Sequence, residues 1–278
     1  MKFIQPKNLQ DALEERAKTL YPIIAGGTDL VAQWKVGVGR PAGVISVCGI
    51  SGLKKIAAQD HLIKIGSIAT HTDIIGSEIV QKYLPALVQA CKTIGSVQIQ
   101  NRGTIGGNVM NASPAGDTLP VLLAYETDVE LAGIKGKRRV PFDKFYTGYR
   151  KTVVGAGEII TKFVIKKPGA GEYAEFIKIG TRQAQAISKV CACFRYNPRG
   201  RSMIAFGSVA PTPIRCPKTE AFLVGRKLDK ETIESAAKLV QEEIAPIDDI
   251  RSDASYRRHI CGILLKRFLI GQNNHLTY

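Results

Sequence analysis

Apolar and polar positions follow two different periods along the first fifty residues. After Asn8, a residue type that caps helices, apolar side chains recur at the helical spacing of three and four residues. Residues 21–25 and 44–47 are instead short apolar runs, which are typical of buried strands. A glycine pair and a second helical pattern separate the two runs. The pattern therefore predicts a small β-α-β subdomain over residues 1–53.

The middle of the chain predicts a larger subdomain of mixed helices and strands over residues 54–170. Strands are predicted at residues 62–66, 129–131, 140–142 and 159–165, and helices at residues 70–77 and 83–93. Glycine and charged residues at 133–137 predict a hairpin tip. Proline and glycine cluster with lysines at residues 166–171, which predicts the end of the first domain.

The last third predicts a second domain over residues 171–278. Three strands are predicted at residues 174–179, 190–196 and 203–209, and two amphipathic helices at residues 229–244 and 256–270. Residues 197–200 predict the tight turn between the last two strands. Three antiparallel strands backed by helices make a compact layer. The predicted fold class is therefore α+β.

Two glycine-rich turns interrupt the apolar pattern of the first domain. Residues 101–108 carry three glycines and a threonine, and residues 26–27 are a glycine pair between a strand and a helix start. Glycine lets the main chain approach a ligand closely, and successive N–H groups in such turns bind anions. Downstream, Asn111, Ser113 and Asp117 suit sugar-like hydroxyls. The hypothesis is a phosphate cradle beside a polyol clamp; the alternative is a purely structural turn.

Composition limits the class of protein without identifying it. The 278 residues suffice for about two domains. Hydrophobic residues make up 45% and charged residues 23%, which is ordinary for a soluble globular protein. No apolar run approaches the roughly 20 residues of a membrane span, and the N-terminus shows no signal-peptide core. A cytoplasmic protein is expected.

The net charge of +15 raises nucleic-acid binding as a rival function. Its basic groups are dispersed and are not interleaved with aromatic residues as in a single-strand binding groove. A solvated or protein-docking surface is favoured. The six cysteines show no C-x-x-C pair, and the four histidines show no ligand spacing, so buried free thiols and no metal site are predicted. His71 is interpreted as a structural hydrogen-bonding residue.

Familiar catalytic motifs are missing. Neither the G-x-G-x-x-G dinucleotide fingerprint nor a G-x-x-x-x-G-K-[ST] phosphate loop occurs, and no serine or cysteine nucleophile lies in a recognisable elbow. Composition and spacing alone therefore lead to a two-domain binder of a phosphorylated cofactor.

The two glycine turns also resemble a known family. Residues 23–30, followed by residues 103–108 with Ser113 and Asp117, resemble the paired FAD-binding motifs of the medium subunit of molybdenum hydroxylases. That family includes xanthine, carbon monoxide and nicotinate dehydrogenases and aldehyde oxidoreductases. Residues 176–190 resemble its entry into the C-terminal domain, and residues 210–216 resemble bacterial xanthine dehydrogenase-type members. The implied fold is a two-part FAD-binding domain similar to vanillyl-alcohol oxidase (PCMH type), followed by the C-terminal domain.

The resemblance implies where FAD binds. The first glycine turn would contact the pyrophosphate through Ile23, Ile24, Ala25, Gly26, Gly27 and Thr28, and the second through Thr104, Ile105, Gly106, Gly107 and Asn108; Asp29 would also belong to the cofactor site. Asn111, Ser113 and Asp117 would contact ribityl or phosphate oxygens, and Ile94 would lie near the adenine. Ile160 would pack on the isoalloxazine. No residue is assigned as catalytic, but Lys178 would tune the flavin from beside its pyrimidine carbonyls; the alternative for Lys178 is a strand lysine with its ammonium in water.

The resemblance also implies partners. A large subunit with molybdopterin would oxidise the substrate, and a small subunit with two [2Fe–2S] clusters would relay electrons to the FAD, in a dimer of heterotrimers. The substrate would be a purine, another N-heterocycle or an aldehyde. The acceptor would be NAD⁺, ferredoxin or a quinone, with NAD⁺ disfavoured because residues 183–186 carry no carboxylate. Two alternatives remain: a stand-alone FAD oxidoreductase of the same fold, and a basic nucleic-acid-binding protein.

Overall fold

The structure is a computed structural model that describes residues 1–182, 185–197 and 200–275. Its strands are β1 (Lys2–Ile4), β2 (Ile23–Ile24), β3 (Gly43–Ser46), β4 (Ile56–Gln59), β5 (Leu62–Gly66), β6 (Asp128–Gly133), β7 (Gly136–Pro141), β8 (Tyr146–Gly148), β9 (Lys151–Thr152), β10 (Ile159–Lys166), β11 (Tyr173–Ile179), β12 (Val190–Tyr196), β13 (Met203–Gly207) and β14 (Ile214–Arg215). Its α-helices are α1 (Leu9–Thr19), α2 (Leu30–Lys35), α3 (His71–Gly76), α4 (Glu78–Tyr83), α5 (Pro85–Lys92), α6 (Val97–Gln100), α7 (Ile105–Asn111), α8 (Thr118–Ala124), α9 (Pro217–Leu223), α10 (Lys230–Glu243) and α11 (Ala254–His275).

The chain forms two compact units, and each is built from several segments. The first unit contains Met1–Tyr83, Ile94–Ala112 and Glu126–Lys167. The second contains Leu84–Thr93, Ser113–Tyr125 and Pro168–Tyr278. Two short helical segments that precede residue 168, α5 and α8, thus belong to the second unit. The predicted domains, residues 1–170 and 171–278, are continuous stretches of sequence, whereas the compact units are defined by contacts in space. The predicted domain boundary therefore stays a prediction.

The first unit begins with a parallel three-stranded sheet in the order β1-β3-β2. Helix α1 starts as predicted, because the side chain of Asn8 accepts a hydrogen bond from the N–H of Asp11. Strand β1 was not predicted, since three residues carry too little periodicity to identify a strand. The small subdomain therefore contains one more parallel strand than the predicted β-α-β pattern.

A five-stranded antiparallel sheet in the order β4-β5-β10-β6-β7 completes the core of the first unit. The predicted hairpin is confirmed, because Gly133 pairs with Gly136 across a two-residue turn. Strand β10 lies in the centre of this sheet and carries an irregularity between Ile160 and Lys162. It is therefore buried over most of its length.

The second unit is a four-stranded antiparallel sheet, β11-β12-β13-β14, backed by helices. The three predicted strands are confirmed, and the two-residue strand β14 adds a fourth at the edge. Its core includes Phe194, Phe206 and Phe268, with the rings of Phe194 and Phe268 centred 5.0 Å apart. Helix α10 ends within one residue of its predicted bounds because it has one apolar face, whereas α11 extends beyond the predicted residues 256–270 at both ends.

Within the described residues, five helices (α4 and α6 to α9) were not predicted from the sequence, and for α7 and α8 the reason is identifiable. All seven residues of α8 are buried, so this helix has no polar face to reveal its period. Helix α7 contains two glycines, which lower helix propensity and favoured a turn interpretation. The helix predicted at 83–93 is confined to α5, because Pro85 is its first residue; α4 precedes it separately. The α+β class is confirmed.

All six cysteines are free thiols, as predicted, and all but one are buried. Five thiols are buried, and Cys48 is exposed. Within the described residues, no group of three or more His, Cys, Asp or Glu side chains could hold a metal ion. Across the same ranges, no helix is both long and apolar enough to cross a membrane.

Candidate cofactor site

The first glycine loop, residues 25–29, joins the edge strand β2 to helix α2. Gly27 has a φ of +71°, which favours glycine over other residues. The N–H groups of Gly26, Gly27 and Thr28 donate to no acceptor in the described part of the chain. Asp29 precedes α2 without capping it through its side chain. Unsatisfied N–H groups between a strand and a helix start form a suitable anion cradle.

The two glycine loops are joined by one close backbone contact. A Cβ atom added to Gly26 would lie 1.8 Å from the carbonyl oxygen of Arg102, in the second glycine loop (residues 101–108). No side chain can therefore be accommodated at residue 26 without moving that backbone. The sequence predicted two glycine turns, and the structure brings them together in the first unit.

The second glycine loop satisfies its own main-chain donors. Ile105 N–H donates to the Ala69 carbonyl (3.0 Å), and Gly106 N–H donates to the Ser67 carbonyl (2.8 Å). Gly107 N–H donates to Oγ1 of Thr104 (3.1 Å), which caps α7. These N–H groups are consumed within the fold. The second loop therefore offers a ligand its side chains and not these main-chain N–H groups. Its backbone also contacts the first loop.

His71 packs against the second glycine loop. The main-chain N–H of His71 donates to the Gly103 carbonyl (3.0 Å). A Cβ atom added to Gly103 would lie 3.2 Å from Cδ2 of the His71 imidazole. Only 2% of His71 is exposed, and burial lowers the pKa of its imidazole to about 4. The predicted structural role fits this position, because the neutral ring fills space behind the loop.

The remaining predicted residues of the first unit are more dispersed. The Ile94 carbonyl accepts from Nε2 of Gln100 (3.1 Å), which fixes the turn before α6. Oδ1 of Asn111 accepts from Nη1 of Arg150 (3.4 Å) at the end of α7. Ile160 lies in β10 opposite Leu131 and is 5% exposed.

In the second unit, Asp117 and Lys178 form a buried ion pair. Lys178 Nζ lies 2.6 Å from Oδ2 of Asp117, and it also donates to the Thr93 carbonyl (3.1 Å). The other carboxylate oxygen, Oδ1, accepts from the hydroxyl of Ser188 (2.5 Å). The Lys178 side chain is only 11% exposed. The ammonium is therefore not in water, contrary to the alternative considered from the sequence.

The electrostatics of this pair are governed by burial. Burial raises the pKa of Asp117, while Lys178 and the hydroxyls of Ser188 and Thr93 oppose that rise. Ser113, four residues earlier, uses its Oγ to accept from the Ala115 N–H (3.3 Å) and shapes the turn that leads to Asp117. Sequence analysis named Asp117 and Lys178 but missed Thr93 and Ser188, since their role depends on contacts between distant segments.

A loop with unsatisfied N–H groups on the parallel sheet of the small subdomain suits the phosphate groups of a nucleotide cofactor. Residues 1–167 match the family described as the FAD binding domain in molybdopterin dehydrogenase, and residues 175–271 match the CO dehydrogenase flavoprotein C-terminal domain. The chain belongs to the family of FAD-binding subunits of molybdenum hydroxylases. The resemblance drawn from the glycine motifs is confirmed, as is FAD as the cofactor of an oxidoreductase subunit.

Relatives and solved structures agree with this assignment. The chain is 31% identical to the xanthine dehydrogenase FAD-binding subunit of Escherichia coli O157:H7 over 253 residues, covering 89% of this chain and 87% of that one. It is 30% identical to the carbon monoxide dehydrogenase medium chain of Hydrogenophaga pseudoflava, with the same coverage. A structure of that enzyme lacking the Mo-pyranopterin moiety superposes with a TM-score of 0.92 at 28% identity, over 96% of this chain and 95% of that one.

We predict that Gly26→Ala loses FAD. The added methyl group would meet the Arg102 carbonyl, so the loops must separate, with an expected loss of about 1–3 kcal/mol in the free energy of unfolding. FAD content per chain and urea denaturation measure both effects. The matched control is Gly76→Ala, since Gly76 has nothing within 4 Å of its would-be Cβ. Full FAD content in Gly26→Ala would show that the loops do not need this contact.

We predict that His71 makes the protein less stable in acid. Its folded pKa of about 4 lies below the unfolded value of about 6.5. Between those values only the unfolded state binds the proton, so stability falls as pH falls, by about 2 kcal/mol between about pH 7 and pH 5. In His71→Gln, the free energy of unfolding from urea denaturation should not show this decrease between about pH 7 and pH 5. His61→Gln, at an exposed position, should still show it. Identical pH dependence in His71→Gln and the parent chain would contradict the assignment.

Proposed function

We propose that this chain is the electron outlet of a molybdenum-dependent dehydrogenase. FAD can accept electrons one at a time and release them as a hydride, which is the chemistry that the bound cofactor supplies. The observation that carries the proposal is the set of unsatisfied N–H groups at Gly26, Gly27 and Thr28, which suit the pyrophosphate. We infer that the neighbouring residues Ile23, Ile24, Ala25 and Asp29 shape this cradle.

The other predicted contacts are divided by chemistry. Thr104 has a hydroxyl proton to donate, and Asn108 and Asn111 carry amides suited to phosphate or ribityl oxygens. Ile105, Gly106 and Gly107 support the loop through their internal hydrogen bonds. We assign Ile94 to the adenine end and Ile160 to the isoalloxazine, as the family resemblance implies.

In the second unit we assign Lys178 to the pyrimidine side of the flavin. Two of its three ammonium protons are committed, to Asp117 and to the Thr93 carbonyl. The third can donate to a flavin oxygen, where a fixed positive charge stabilises the charge that develops on reduction. Asp117 holds this ammonium in place, and Ser113 contributes to the turn that presents Asp117. Asp117 therefore acts on the cofactor through Lys178 in addition to the ribityl contact implied by the resemblance.

We propose that the partners are a large molybdopterin-binding subunit and a small subunit with two [2Fe–2S] clusters, in a dimer of heterotrimers. Support comes from the family and from relatives that are named as medium chains or subunits, including the alpha subunit of a 6-hydroxypseudooxynicotine dehydrogenase complex of Paenarthrobacter nicotinovorans. The basic surface of the chain, with 39 Lys and Arg against 24 Asp and Glu, suits protein docking.

Substrate and acceptor follow from narrower observations. Among substrates we favour a purine or another N-heterocycle over an aldehyde, because residues 210–216 resemble xanthine dehydrogenase-type members. Among acceptors we favour ferredoxin or a quinone over NAD⁺, because residues 183–186, directly after Arg182, include no carboxylate. Two residues of that segment, Gln183 and Ala184, lie outside the described residues.

Purification with the native partners tests the proposal. We predict one FAD per chain in the absorption spectrum, with molybdenum and iron in the complex, and flavin reduction by the substrate of the large subunit. Adding NAD⁺, a ferredoxin or a quinone analogue separately to the reduced complex identifies the acceptor. A colourless preparation without FAD, molybdenum or iron would refute the proposal. Binding to nucleic acid that weakens steeply with salt would favour the rival function.

A further inference from the structure

Asp117 is the acidic side chain paired with Lys178, the cation that we assign to the flavin. We propose that Ser188 is a positioning residue that holds Asp117 in its ionised form, and so sets the net charge that Lys178 presents to the flavin. This inference rests on the proposed position of Lys178.

The two carboxylate oxygens of Asp117 are bound differently. Oδ2 accepts from Lys178 (2.6 Å) and from Oγ1 of Thr93 (3.2 Å). In the described part of the chain, Oδ1 accepts only from the Ser188 hydroxyl, at 2.5 Å. A hydrogen bond to an ionised carboxylate is short and roughly twice as strong as a neutral one. Ser188 is therefore the donor to one of the two oxygens of a carboxylate that is buried in the second unit.

A second serine fixes the position of the first. The hydroxyl of Ser208 donates to the Ser188 carbonyl (3.1 Å), and the N–H of Ser208 donates to the Pro114 carbonyl (2.8 Å). Ser208 has a φ of +66°, a left-handed conformation that is costly for serine. One strained residue at the end of β13 thus links the segments that carry Ser188 and Asp117, and this explains how the 2.5 Å contact is maintained.

The other titratable groups around Asp117 are a lysine and two cysteines. Lys178 faces it from β11, Cys91 from α5 and Cys191 from β12. Burial, with the negative charge of Asp117, raises the pKa of both thiols far above neutrality, so both are uncharged. The charge balance at this point of the second unit is therefore decided by Asp117 and Lys178 alone.

Removal of the Ser188 hydroxyl has a defined consequence. The carboxylate loses a donor that favours its ionised form, so protonation of Asp117 extends to higher pH. Once Asp117 is neutral, the positive charge of Lys178 is uncompensated, and a reduced flavin carrying negative charge is stabilised. At pH values where only the variant's Asp117 is protonated, the midpoint potential of the flavin should then be higher in the variant than in the parent protein.

The first measurement uses the full-length chain without FAD. Infrared titration of the carboxyl groups, with Asp117→Asn to identify the Asp117 band, follows its ionisation directly. Ser188→Ala should lower the acid dissociation constant of Asp117 by about tenfold or more, and Ser188→Thr should restore it. The matched control Ser255→Ala, at an exposed position of α11, should change nothing. An Asp117 titration in Ser188→Ala that superimposes on the parent curve would overturn the inference.

The second measurement uses the FAD-loaded chain and follows the flavin midpoint potential against pH. With FAD still bound, the potential of Ser188→Ala should exceed that of the parent chain at pH values between the two Asp117 titrations and equal it at higher pH. An unchanged potential curve beside a shifted Asp117 titration would overturn the link to the flavin, whereas a chain that binds no FAD would overturn the proposed function itself.

If Ser188→Ala does not fold, Ser208→Ala takes its place. This variant keeps its main-chain N–H bond to Pro114 and should shift both curves in the same direction; unchanged curves there would equally refute the inference.

Discussion

The close contact between Gly26 and the Arg102 carbonyl is the constraint on which the proposed cofactor site depends. It places two loops that are about 75 residues apart in the sequence at a distance that only glycine permits. The second loop meets its own hydrogen-bonding needs and acts as a fixed support. The first loop is thereby held with its N–H groups unsatisfied. Partly exposed main-chain donors without a partner in the fold are available to a pyrophosphate.

The second unit contributes a different kind of preorganisation. Asp117 and Lys178 are both largely withdrawn from solvent, and removing either partner alone from such a pair costs about 3–5 kcal/mol. The surrounding donors and acceptors from Thr93, Ser188 and Ser208 explain how the pair is maintained. A fixed charge is useful to an electron-transfer cofactor because it requires no reorganisation when the redox state changes.

The candidate site residues were easier to predict than the contacts that connect them. The glycine turns and Asp117 were singled out by their residue types, and Lys178 by the family resemblance; their contacts with FAD stay a prediction. The contacts that connect these residues were not predicted, because Arg102 participates through its carbonyl and Ser188 through a segment 71 residues from Asp117. Helix α8 was missed because it is apolar all round, and β1 and β14 were missed because they are short. The assignment of α5 and α8 to the second unit depends on tertiary packing that periodicity does not encode.

The central claim is that the first glycine loop holds the FAD pyrophosphate through its main-chain N–H groups. Amide hydrogen exchange of Gly26, Gly27 and Thr28, measured in the same chain with and without FAD, tests it directly. We expect rapid exchange in the free chain and strong protection once FAD is bound. Fast exchange at all three amides in the fully FAD-loaded chain would contradict it.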